Sequence, residues 1–236
     1  MENWALFHES RPDQITNIKK KYPIAYIPWG ALEYHSYHNP TGLDGIKAFG
    51  LCCDLAMAIG GLVFPTIYQA SNLIKSYPGV HFPDHSIEFT ESLIRMTCEE
   101  YFDQLVQDNF KIIICISGHA GEPHLSILKD VSNKFSTRFQ ELRFWTIAEF
   151  DILSPDILVA NHSALGETSL QLHYAPETVD LTLLPLDRPT SLELDGISGT
   201  DPKTSSEEIG LDIKEKFLNE AKPIIEQFLK DIKLHI

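Results

Sequence analysis

Two carboxylates and two imidazoles, Glu33, His35, His38 and Asp44, fall within one short stretch of this chain, WGALEYHSYHNPTGLD. They follow an apolar run, Ile24-Ala25-Tyr26-Ile27, that reads as a buried strand. Mixed oxygen and imidazole donors just past a strand end suit Zn²⁺, Mn²⁺ or Fe²⁺. A second group, His119 and Glu122, closes the run KIIICI (111–116) in the sequence SGHAGE. A third, His162 and Glu167, lies in HSALGETS. Each group alone has an ordinary reading: a solvated loop, a hydrogen-bonded turn histidine, a glutamate at a helix start. Together they gather imidazoles and carboxylates at strand ends, where open α/β sheets bind ligands. Five or six such donors exceed what one ion with an open position needs. A bridging carboxylate between two ions fits better, and the chemistry that follows is hydrolysis of an amide or related C–N bond by metal-bound hydroxide.

The elements that must position these residues alternate. A polar helix is predicted over 12–21, then a strand at 24–27 broken by Pro28 and Gly30, with the charged cluster on a loop. A helix over 45–59 stops at Gly60-Gly61, and 62–67 reads as a second strand. Residues 68–84, rich in Pro, Gly, Ser and aromatics, form a long irregular loop of the kind that carries function. A helix over 90–109 precedes the strand at 111–116, whose unbroken β-branched run suggests a central parallel strand covered on both faces. Further elements are a helix to Phe139, a strand at 143–148, a short helix over 155–160, a helix over 167–173 and Pro/Gly-rich loop at 187–204. One long helix over 205–236 carries an expected break near Pro223. The pattern is α/β with a mostly parallel sheet. No repeat or linker divides it, so one domain over 1–236 is expected.

Composition narrows the function. The chain has 236 residues, 43% apolar and 22% charged, ordinary for a folded domain. A net charge of −14, from 33 acids and 19 bases, argues against a nucleic-acid-binding face. No apolar run reaches the roughly 18 residues of a membrane span, and the N-terminus has no signal-peptide core, so a soluble cytoplasmic protein is expected. Cys52, Cys53, Cys98 and Cys115 form no C-x-x-C pair and read as free, mostly buried thiols.

Four blocks, in order, resemble the creatininase (creatinine amidohydrolase) family. GALEYHSYHNPTGLD (30–44) is similar to its G-s-x-E-x-H-G-x-H-L-P-x-x-x-D pattern, and FKIIICISGHAGE (110–122) to its strand and N-G-H-G-G-N turn. HSALGETSLQLHYAPETVD (162–180) and GISGTDPKTSSEEIG (196–210) resemble its later blocks. The resemblance implies a three-layer α/β/α, Rossmann-like fold, a homo-oligomer such as a hexamer, and two divalent ions, Zn or Mn with Fe as an alternative. It implies that Glu33, Asp44 and His119 hold one ion and that His35, Asp44 and a glutamate hold the other. That glutamate is expected to be Glu167, with Glu122 as the competing ligand or a catalytic carboxylate. Creatininase itself draws it from two residues past the histidine, which is Gly121 here. His162 would be the proton shuttle, and His38 would support the ligands or face the substrate.

The sequence departs from the family pattern at Ser36, in place of a glycine, and in the SGHAGE turn. The pocket loop S-x-E-H-x-x-F-P-G-T is poorly matched. Tyr77-Pro78-Gly79-Val80, preceded by Ser71 as a substrate-binding candidate, competes for its place with Phe82-Pro83-Asp84-His85. The family includes creatinine hydrolysis, deformylation of a formamidopyrimidine nucleotide precursor and peptide cleavage in redox-cofactor maturation. The aromatic pocket of creatininase is not recognisable, so the expected substrate is a small amide, lactam or formamide other than creatinine. The alternative is a relative without catalysis that binds a metal or small ligand.

Overall fold

The computed structural model describes residues 3–77, 79–80, 82–155 and 161–233. Its strands are β1 (Trp4–Leu6), β2 (Ile24–Gly30), β3 (Gly61–Val63), β4 (Ile67–Tyr68), β5 (Ile112–Ser117) and β6 (Arg143–Ala148). The helices are α1 (Pro12–Lys21), α2 (Leu43–Ile59), α3 (Glu91–Gln107), α4 (His124–Arg138), α5 (Leu165–Tyr174), α6 (Leu192–Asp195) and α7 (Glu207–Lys233). The strands pair in the order β1-β3-β2-β5-β6, with β4 also on β2, and every pairing between them is parallel.

The sheet has a core on each face because its side chains alternate. Ile24, Tyr26, Ile112, Ile114 and Ile116 pack with α2, α5 and α7. Ala25, Ile27, Trp29, Ile113 and Cys115 pack with α1, α3 and α4. Both faces of β2 and β5 are buried throughout, which is why these strands read as continuous apolar runs. No helix among the described residues is long and apolar enough to cross a membrane.

Four expectations change. Pro28 does not break β2. Tyr26 gives its carbonyl to Phe64, so residue 28 points to the same edge. There β3 has ended and β4 has not begun, and the missing N–H of proline falls in the gap. The strand expected over 62–67 is accordingly two short strands. Pro223 does not interrupt α7. An internal proline costs about 3 kcal/mol, but Phe217, Ala221 and Ile225 on either side of it are fully buried against the sheet, worth roughly 1.5–3 kcal/mol for each large side chain. The 187–204 loop contains the single turn of α6 and a 3₁₀ turn at Pro202–Thr204. The short helix expected over 155–160 falls mostly outside the described residues.

Candidate metal centre

Asp44 lies in the first turn of α2, which begins at Leu43, two residues before the start expected from sequence, so that Asp44 is on the helix rather than on the loop. Glu167 lies in the first turn of α5. Free backbone N–H groups and the helix dipole favour a carboxylate at both positions. Gly118, after β5, lets α2 come close: a Cβ there would sit 2.0 Å from the Asp44 carbonyl oxygen. That contact sets Asp44 at the mouth between the ends of β2 and β5.

The donors converge as follows. Glu33 Oε2 is 3.1 Å from His119 Nδ1, and Asp44 Oδ2 is 3.4 Å from the same nitrogen. Asp44 Oδ1 faces His35 Nε2 at 3.4 Å. His119 Nε2 donates to the Ser71 carbonyl at 3.1 Å, and His35 Nδ1 donates to the Glu33 carbonyl at 3.1 Å. Each ring is thus oriented by one nitrogen and presents the other to the carboxylates, the usual support of a ligating histidine. Two trios of donor atoms result, Glu33–Asp44–His119 and His35–Asp44–Glu167, each within 4.8 Å and all buried. A third, Glu33–His35–His162, borders them. Their membership, with Asp44 shared, is that of the two sets the family resemblance implies.

The electrostatics match a cation site. Burial pushes the Glu33 and Asp44 carboxyls up, but the neighbouring histidines, with Lys47 beside Asp44, more than reverse this, and both end below their usual range. Burial alone would lower His35 and His119. The Asp44 carboxylate instead raises His35 to about 9, and Glu33 and Asp44 hold His119 well above its ordinary value. Glu33 Oε2 and Asp44 Oδ2 are buried without a hydrogen-bond partner. Buried carboxylates normally find partners, so these two oxygens mark where positive charge belongs. The donor set fits a divalent ion.

His162 stacks on His35 with ring centroids 4.3 Å apart and donates Nε2–H to the Tyr34 carbonyl at 2.8 Å, leaving Nδ1 as its basic atom. Burial and the nearby His35 lower its pKa. Above the trios opens a cavity of about 390 Å³, floored by Glu33, Asp44 and His119 and walled by Tyr77, Asn161 and His162. That size suits a small molecule.

Three candidates are placed apart from the donors. Glu122 is exposed at the rim of the cavity, and its carboxylate accepts from the Ser126 backbone at the start of α4. Ser71 contributes its carbonyl to His119, while its hydroxyl is buried outside the cavity. His38 is buried behind the site, where it and Asn39 bond Thr168 and tie the 36–39 turn to α5. Of the two pocket-loop alternatives, Tyr77 lines the cavity, whereas Phe82 stacks on Tyr34 at 4.8 Å. Pro78 lies outside the described residues. Gly121 has no room for a side chain: a Cβ there would be 2.5 Å from His119 Nε2 and 2.7 Å from the Asn72 carbonyl.

Sequence reading missed Lys47 and Glu149, both fully buried here. Lys47 Nζ contacts Glu167 Oε1, lies 2.5 Å from Glu149 Oε1 and 3.8 Å from Asp44 Oδ1. Burial opposes its charge, but the three carboxylates raise its pKa above that of an ordinary lysine. Lys47 sits three residues after Asp44, on the apolar stripe with Leu43 and Leu51, which was a legible signal. Glu149 immediately follows β6, at the same edge of the sheet as the other donors.

The family model for creatininase, described as creatinine amidohydrolase, matches residues 8–220. Solved structures share the fold. A manganese creatininase is 19% identical, with 97% of this chain and 99% of that chain covered at a TM-score of 0.80. A glutamate-to-glutamine mutant creatininase of Zn-Zn type gives the same identity, coverage and score. The same mutation complexed with creatine gives 19%, 97%, 99% and 0.79. No curated protein sequence matches.

Proposed function

The chain belongs to the creatininase family, and on that premise we propose that it is a divalent-metal-dependent hydrolase of a C–N bond in a small amide, lactam or formamide. The observation that carries this reading is the pair of buried, unpartnered oxygens of Glu33 and Asp44 aimed at Nδ1 of His119. Glu33, Asp44 and His119 would hold the ion, Zn²⁺ or Mn²⁺ by donor type and by the metals named for the relatives. Such an ion polarises a carbonyl and lowers the pKa of water.

The chain's own residues do the rest. The Ser71 carbonyl fixes the ring of His119, the ligand, and the Glu33 carbonyl fixes that of the neighbouring His35, so both would be oriented before a substrate arrives. His162 lines the cavity with Nε2 tied to Tyr34, which leaves Nδ1 to take a proton and return it to the leaving nitrogen. Its lowered pKa keeps it neutral, and able to accept that proton, near pH 7. The cavity above the donors, about 390 Å³, is of a size for a small molecule. Glu122, exposed at the rim, would contact substrate rather than ligate the ion.

The test is a panel of lactams, formamides and linear amides offered to protein stripped by a chelator and then reloaded with Mn²⁺ or Zn²⁺. Turnover that depends on reloading supports the proposal. Metal uptake without turnover on any member of the panel supports the ligand-binding alternative.

A further inference from the structure

The two donor trios that share Asp44 are not equivalent. In the first, Glu33 Oε2 and Asp44 Oδ2 have no hydrogen-bond partner. In the second, both oxygens of Glu167 are taken: Oε1 by Lys47 Nζ and Oε2 by the Ser163 backbone N–H at 2.7 Å. The same ammonium lies 3.8 Å from Asp44 Oδ1, the oxygen that faces His35. Two of the three donors of the second trio are therefore already in contact with a fixed positive charge.

That charge is part of the fold. Lys47 leaves α2 one turn after Asp44, its side chain is 1% exposed, and Glu149 at the end of β6 holds it from a third direction. Withdrawing it would leave three buried carboxylates facing one another. Admitting a dication beside it would set like charges in contact in a buried site. We infer that the Lys47 ammonium stands in for a second metal ion, so that the chain binds one divalent cation, at Glu33, Asp44 and His119. The inference rests on the metal-hydrolase reading above. Lys47 does not line the cavity. It is a positioning residue that holds Asp44 and Glu167 in place for the ion and its surroundings.

The experiment counts ions. Protein stripped by a chelator is equilibrated with excess Zn²⁺ or Mn²⁺ and desalted, and metal per chain is read by elemental analysis and native mass spectrometry. Wild type is expected to hold one ion per chain, Lys47→Arg one, and Lys47→Met, of similar volume without charge, two. Two ions in wild type overturn the inference and leave the metal-hydrolase reading standing. Folded Lys47→Met that stays at one also overturns it. No ion in wild type overturns both. Should Lys47→Met not fold, anomalous diffraction from Mn²⁺-loaded wild type decides. One peak beside His119 Nδ1 is expected, and a second beside His35 Nε2 contradicts the substitution.

Discussion

Asp44 Oδ2 lies 3.4 Å from His119 Nδ1, and the two residues follow the neighbouring strands β2 and β5. The contact exists because α2 begins against the end of β5 with nothing but Gly118 between them. Everything attributed to the centre depends on that approach, and its consequences can be measured.

Metal affinity should rise with pH. In the metal-free protein His35 is raised to about 9 and His119 is held well above its ordinary value, so a cation must displace protons to bind. Competition with a chromophoric chelator from pH 6 to 9 should show affinity increasing by about tenfold per pH unit for the proton released from His119. A pH-independent affinity would contradict the charge arrangement. The same shift predicts the stability of the metal-free form. A histidine whose folded pKa is raised stabilises fully below its unfolded value near 6.5, and that contribution is lost as pH rises through about 9.

Gly121→Ala should weaken metal binding without unfolding the chain. The new Cβ would meet His119 Nε2 and displace the ring from the Ser71 carbonyl. Loss of such an orienting bond typically costs about 10–100-fold in affinity. Chelator competition on the variant checks this, with circular dichroism to confirm the fold. Unchanged affinity would mean that the Ser71 contact does not orient the ring.

Ser36→Gly should stabilise. Ser36 occupies φ 61°, the left-handed region that costs a non-glycine residue about 1 kcal/mol. The substitution restores the residue of the family pattern. Thermal unfolding should show a rise of about 2–4 °C, the change expected per kcal/mol for a chain of this size. A fall would show that the serine side chain makes a compensating contact.

How much of this was legible depended on the strength of the local signal. The apolar runs of β2 and β5 are buried on both faces, so composition alone marked them. α1 matched its predicted bounds, and α3 came close to them, because Thr90 caps its start. β1 escaped notice because three half-buried residues at a sheet edge carry no periodicity. The proline rules misled at Pro28, whose missing N–H falls in the gap between β3 and β4, and at Pro223, where tertiary packing outweighed a lost backbone donor. In the site, clustering after strands marked Glu33, His35, Asp44 and His119 together with His38, Glu122, His162 and Glu167, and the family resemblance singled out the five ligand candidates among them, Glu167 included. Lys47 did not stand out, since a lysine on a helix normally reads as its solvated face, although its place on the stripe of Leu43 and Leu51 was a sign of burial. Its burial depends on three acids, two of them more than 100 residues away, and only the fold brings them to it.

The most direct measurement pairs metal content with turnover in wild type and Asp44→Asn, each stripped and then titrated with Mn²⁺. Wild type should take up the ion, and hydrolysis of a responsive amide from the panel should rise with occupancy. Asp44→Asn should lose at least ~100-fold in affinity, the scale set by losses at residues that only support a ligand, and should show no turnover at the metal concentration that saturates wild type. Wild-type hydrolysis that survives stripping, or an Asp44→Asn protein that binds metal and turns over like wild type, would contradict a catalytic centre built on Asp44.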